Sequence, residues 1–178
     1  MRLGTRTRKV VLVGHVVSVS AWIGIDLALG VLVLTAMLTD DTATAATAFQ
    51  AAHLIAVWPM LIASLCSLAT GVTLGLGSKY GLIRYWWVAA KLTINLAMTT
   101  LIYFSLRPGL YEAAGYGRRL AAGDTAAQPP DQLLYPIFVA PSLLLVAVVL
   151  SIFKPWGRTS RRGDTAKPRR YLRRRGAI

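Results

Sequence analysis

Residues 10–38 read VVLVGHVVSVSAWIGIDLALGVLVLTAML, with no Lys or Arg, one imidazole at His15 and one carboxyl at Asp26. About 20 consecutive apolar residues span a ~30 Å hydrocarbon layer as a helix. This run is longer than that, and about twice the length of a signal-peptide h-region, so it reads as a membrane span. Three more apolar runs follow, over residues 44–76, 82–106 and 133–153. In lipid every backbone N–H and C=O must be satisfied within the protein, which leaves helices or closed barrels. These runs lack the two-residue alternation of barrel strands. The predicted fold class is all-α: a polytopic membrane protein with a four-helix transmembrane bundle over 10–153. A basic N-terminus, 1–9, precedes it. An extracytoplasmic loop, 107–132, joins the last two helices, and a basic, disordered tail, 154–178, follows.

Composition and charge agree. The chain has 178 residues, 55% hydrophobic and only 15% charged, and its mean hydropathy is +0.53. A soluble domain of this size carries more charge. The net charge of +13 is unevenly placed, because ten of the 20 Lys and Arg lie in the last 25 residues. Sixteen Lys and Arg fall before the first run, between the second and third, or after the fourth, against three in the other two connections. The positive-inside rule then puts both termini in the cytoplasm of a bacterial cell membrane. Tyr80, Tyr85, Trp86, Trp87 and Trp156 gather near the cytoplasmic helix ends, as an aromatic belt does. The expected partners are the lipid bilayer and, for Arg169, Arg170, Arg173, Arg174 and Arg175, anionic lipids. Nucleic acid is not expected as a partner, and homo-oligomerisation is left open. No Walker, dinucleotide-fold or zinc spacing occurs. Cys66 is the single cysteine, so no intrachain disulfide forms.

Polar residues at membrane depth are costly and face protein, so their spacing is informative. At about 100° per residue, His15, Trp22 and Asp26 fall within about 20° of one line, flanked by Ser18. On the third run Lys91 and Asn95 are one turn apart, with Trp87 a turn before and Thr99 a turn after. Counting about 1.5 Å per residue from the cytoplasmic ends puts His15 at about 8 Å, Ser18 at about 12 Å and Lys91 at about 14 Å. Asn95 follows at about 20 Å and Asp26 at about 24 Å. His15 and Lys91 are thus expected in one layer, and Asp26 with Asn95 or Thr99 in a deeper one. His53, the other histidine, falls near 34 Å and is too far from His15 to share one iron. Pro59 and Pro141 predict kinks. The glycines of GVTLGLG, residues 71–77, predict a close helix approach.

The order His15, Trp22-Ile23-Gly24, Pro59, Gly71, then Trp87 four before Lys91, resembles small bacterial membrane proteins with a four-helix core. GHVVSVSAWIG, residues 14–24, is similar to the His-x6-Trp-x-Gly opening of copper-resistance-D-like membrane domains. With WWVAAKL, residues 86–92, it also resembles the membrane-embedded protoporphyrinogen oxidase family. YGLIRYWWVAAKLTINLAM, residues 80–98, looks like uncharacterised bacterial integral membrane proteins, a likeness covering most of residues 8–106. The oxidase resemblance implies an axial haem ligand at His15 and an important lysine at Lys91. This chain departs from that family at Asp26 and in its long third-to-fourth connection.

Three functions follow as expectations. The first is binding of haem b or a related tetrapyrrole: His15 is the iron ligand, Trp22 packs on the macrocycle, and Lys91 meets a propionate. The second is a non-enzymatic accessory or structural role, with Asp26, Lys91 and Asn95 locking the helices. The third is transport of protons or copper, with Asp26 as carrier. Topology is tested by reporter fusions at Ala43, Lys79, Ala122 and the C-terminus. Extracytoplasmic signals are expected at Ala43 and Ala122 only; one at Lys79 or the C-terminus refutes the orientation.

Overall fold

The computed structural model describes residues 4–77, 85–124, 130 and 133–153. Lys79, Tyr80, Arg84, Trp156 and the tail expected to bind anionic lipids lie outside the described residues. Among the described residues the α-helices in order are α1 (Thr5–Leu38), α2 (Thr42–Leu76), α3 (Trp86–Leu101), α4 (Arg107–Ala121) and α5 (Leu134–Phe153). One π-helical turn, Ile102–Leu106, joins α3 to α4, so Trp86–Ala121 is a single helix. Four helices are long and apolar enough to cross a membrane. The protein is an all-α bundle and, by these spans, a multi-pass membrane protein.

Two boundaries differ from the sequence reading. The first helix starts at Thr5, within the basic segment. More consequentially, the stretch read as a loop from residue 107 is helical to Ala121. Pro108 and Gly109 suggested a break there. A proline inside an α-helix loses one hydrogen bond and its ring meets the carbonyl four residues back. The π turn ends just before it, with the Arg107 N–H bonded to the Ile102 carbonyl five residues back. That widened turn absorbs the disturbance, and the helix continues.

The α1–α2 connection is short and capped. The Asp41 carboxylate accepts from the N–H of Ala43 at 3.3 Å and of Thr44 at 3.1 Å, and from the Thr44 hydroxyl. The Thr44 contacts are the larger cause holding the Asp41 carboxyl below the usual range. Helices α1 and α2 run antiparallel over their full length. We call the end with this connection the loop end, and the end where α1 starts and α2 finishes the terminal end.

Packing is tight towards the loop end and open towards the terminal end. Trp22, Asp26, Leu29, Val33 and Ala36 are buried along α1, at steps of three and four that keep one face against α2. Among the described residues α1 has no buried residue before Trp22, and α2 none after Ser67. The α2 face is small: Ala45, Ala48, Ala52, Ala56 and Ala63 are buried with Phe49 and Met60. Small residues let backbones approach, and dispersion then holds them. Helix α4 joins this core through Leu110, Ala113, Ala114 and Gly117. At Gly117 the approach is closest, since a Cβ there would lie 2.8 Å from the Ala46 carbonyl oxygen. The edge of Tyr116 meets Phe49 beside it, 5.4 Å between centroids.

The described part of helix α5 is Leu134–Phe153. Leu133, just before α5, lies against Gly109, and near the other end Ser151 accepts from Lys91 Nζ at 3.0 Å. Lys91 and Gly109 are about 27 Å apart along their common helix, close to one hydrocarbon thickness. The remainder of α4, the start of α2 and the end of α1 therefore extend past α5 as a three-helix projection.

Gly117→Ala must displace the α2 backbone, so it is expected to lower stability in detergent by about 1–3 kcal/mol, as overpacking does. Gly115→Ala is the control. Its Cβ would meet only the Arg118 side chain, at 3.7 Å. Thermal melts of the two variants should differ in that direction.

Candidate functional site

The polar residues selected from sequence converge on the open, terminal half of the bundle. His15 stands on α1 facing α2, where its Nδ1 is 3.0 Å from Thr70 Oγ1. The Thr70 hydroxyl has one hydrogen and donates it to the Cys66 carbonyl at 2.6 Å, with the Ser67 carbonyl at 3.2 Å as second acceptor. In that orientation it accepts from His15, which corresponds to the Nδ1-protonated tautomer. In that neutral imidazole Nε2 keeps its lone pair. Gly71 makes room for the ring, as a Cβ there would come within 3.3 Å of His15 Cε1.

Asn95 bonds Ser67 and His15 meets Thr70. Lys91 and Thr70 each lie about one turn on from Asn95 and Ser67 towards the terminal end, so Lys91 and His15 are at similar depth. The Lys91 ammonium bonds Ser151 on α5 and sits 4.7 Å from the centroid of the Trp87 ring. Asn95, one turn on, donates to Ser67 Oγ on α2 at 3.0 Å. Ser18 and Thr99 bond within their own helices, to the carbonyls of Gly14 at 2.8 Å and Asn95 at 2.9 Å. Among the described residues, side-chain bonds thus cross between helices in this half from α1 to α2, from α3 to α2 and from α3 to α5.

Asp26 is not part of that set. It is buried at 4% exposure, and among the described residues its Oδ2 has no hydrogen-bond partner. The expected contact with Asn95 or Thr99 is not made, because Asn95 is turned to Ser67 and Thr99 to its own helix. One turn before Asp26, the Trp22 Nε1 is also buried and partnerless. Trp22 is 1% exposed and belongs to the apolar core. Its ring is covered by the packed core. Beyond Asp26, Leu29 and Val33 continue the stripe as apolar core. The polar track is blind at that point.

His53 is remote, as its depth predicted. It lies on α2 seventeen residues from Thr70, about 25 Å along the axis. There it packs edge-on against Tyr111, 4.5 Å between centroids. A cleft of about 240 Å³ at the loop end, lined by Met37, Asp40, Phe49 and Tyr116 among others, contains none of the sequence-selected residues.

Among the described residues no group of three or more His, Cys, Asp or Glu could hold a metal ion. A haem iron needs less, since one imidazole nitrogen suffices. His15 meets the requirement: Nε2 has the lone pair, and the Nδ1–H bond fixes the ring as outer partners of metal-bound histidines do. Thr70 and Ser151 were not singled out from sequence, and Ser67 was placed only on a helix face with His53, Met60, Ser64 and Gly71. Depth could have found Thr70, which lies about 9 Å from the end of α2, level with His15. Compared with models of protein families, with curated proteins and with solved structures, the chain matches none.

The geometry separates two candidate couplings. Asn95→Leu with Ser67→Ala should show an interaction of about 0.6 kcal/mol and at most about 1.7, the range for hydrogen bonds between membrane helices. Asp26→Leu with Lys91→Leu should be additive within about 0.3–0.5 kcal/mol. Double-mutant cycles by unfolding in detergent measure both.

Proposed function

We propose that this chain is a multi-pass protein of the bacterial cytoplasmic membrane, with both termini inside, that binds haem b or a related tetrapyrrole through His15 in a redox or haem-handling role. The observation that carries this is the order of donors at His15. The Cys66 backbone carbonyl accepts from the Thr70 hydroxyl, that hydroxyl accepts from His15 Nδ1–H, and Nε2 is left as a ligand nitrogen. A lone pair at this depth is expensive to leave unused. Lys91 in the same layer supplies a positive charge suited to a propionate. A bound haem supplies one-electron chemistry at its iron. The chain's residues orient the imidazole, fix its tautomer and place the ammonium. The resemblance to the membrane-embedded oxidase family agrees with this assignment.

A structural reading draws on the interhelical hydrogen bonds, which tie the half of the bundle where α1 and α2 bury no apolar side chains. On that reading His15 is a clamp between α1 and α2 and carries no ligand.

Spectra of the purified protein decide between the two. With ample haem precursor during expression, wild type is expected to show a Soret band and His15→Ala to lose it. Thr70→Val, which removes the hydroxyl that orients the ring, should weaken haem retention by about 10–100-fold. No Soret band in wild type, or an unchanged one in His15→Ala, refutes the haem site and leaves the clamp.

A further inference from the structure

Arg107 has a setting that the His15 site does not use. Its guanidinium lies against three rings: 5.2 Å from the centroid of Tyr103, 5.6 Å from Tyr111 and 5.7 Å from Trp58. Tyr103 and Tyr111 are four residues before and after it on the same helix, and Trp58 comes from α2. Tyr111 is in turn packed against His53. The backbone N–H of Arg107 closes the π turn onto Ile102, and such turns recur at functional positions.

Stacking uses the faces of a guanidinium and leaves its N–H edge for acceptors. Among the described residues the Arg107 side chain makes no hydrogen bond and no ion pair, so the five guanidinium donors are unspent there. A cation so enclosed, without a carboxylate, suits an anion with several oxygens.

Depth and exposure select which anion. Arg107 is sixteen residues from Lys91 on a continuous helix, about 24 Å away. It stands two residues before Gly109, where α5 begins. It therefore lies near the loop-end boundary of the hydrocarbon layer, at the level of lipid headgroups. The rings around it open outward: Trp58 is 56% exposed, and Tyr103 and Tyr111 are each 45% exposed. Towards mid-membrane the same two helices expose Ile62 and Leu101. A ligand there meets a cation at the interface and an apolar surface beneath it.

The geometry points to a phospholipid site, in which the phosphate of one loop-end leaflet lipid accepts from the Arg107 guanidinium and its acyl chains lie along Trp58, Ile62 and Leu101. Planar, bidentate recognition of phosphate is what arginine does better than lysine. The site is independent of any ligand at His15.

Native mass spectrometry of the full chain, titrated with phosphatidylglycerol in detergent, tests this. Wild type should retain one tightly held lipid. Arg107→Gln should weaken that one by about tenfold or more, the scale of a lost hydrogen-bonded charge. Arg107→Lys keeps the charge and the ring contacts, so it guards against misfolding, and it should show a smaller loss. Arg118→Gln, further along α4, should match wild type. Diacylglycerol, which lacks the phosphate, and millimolar inorganic phosphate should each fail to displace the lipid. Wild-type retention in both Arg107 variants overturns the site. An equal loss in Arg118→Gln reduces it to diffuse charge and overturns it too. Displacement by inorganic phosphate shows an anion site without lipid specificity and overturns the lipid assignment.

Discussion

A bilayer gives helices no reason to bury apolar side chains against one another, because the lipid is as apolar as they are. What remains is contact: backbones close enough for dispersion to act, or polar groups that find each other. This constraint divides the molecule. In the loop-end half, Ala45, Ala48, Ala52 and Ala56 make α2 thin, Gly117 lets α4 come within reach of the Ala46 carbonyl, and Leu29, Val33 and Phe49 fill the space between. In the terminal half the contacts loosen, and hydrogen bonds from His15, Asn95 and Lys91 cross between the helices.

The same division shapes the site. A tightly packed half would exclude a ligand and fully bury an imidazole. The open half leaves His15 partly accessible, held on one side by Thr70 and Gly71. Trp22 is covered by the packed core, and the track ends at Asp26. Asp26 and the Trp22 indole remain a buried acceptor and donor one turn apart, each without a partner among the described residues. Neither is accounted for by the interhelical bonds.

The second aromatic cluster gives the bundle a measure of membrane thickness. Trp86 and Trp87 mark one end of the α3 axis, and Tyr103, Arg107 and Tyr111 the other. Helix α5 starts beside Gly109. At that end α1, α2 and the α3–α4 helix continue beyond it. The projection they form is amphipathic where α4 contributes, with Leu110, Ala113 and Gly117 inward and Glu112, Arg118 and Arg119 outward.

Hydropathy alone determined four spanning helices, because lipid permits only internally bonded backbone and each run is long enough to cross. Helical spacing alone placed His15, Trp22 and Asp26 on one stripe and set His53 apart from His15, since rise and turn per residue are nearly constant. The continuation through Pro108 was not legible. Whether a proline ends a helix depends on whether the preceding turn can widen, and α4 is held in place by α2, which is distant in sequence. The partners of polar side chains were equally hidden. Depth brought Asp26 and Asn95 towards one layer, yet Asn95 bonds Ser67, because the rotation of each helix about its own axis is set by packing with its neighbours. Arg107 read as one charge in a loop; only the tertiary arrangement brings Trp58 from α2 to its side, and that contact depends on where two helices touch.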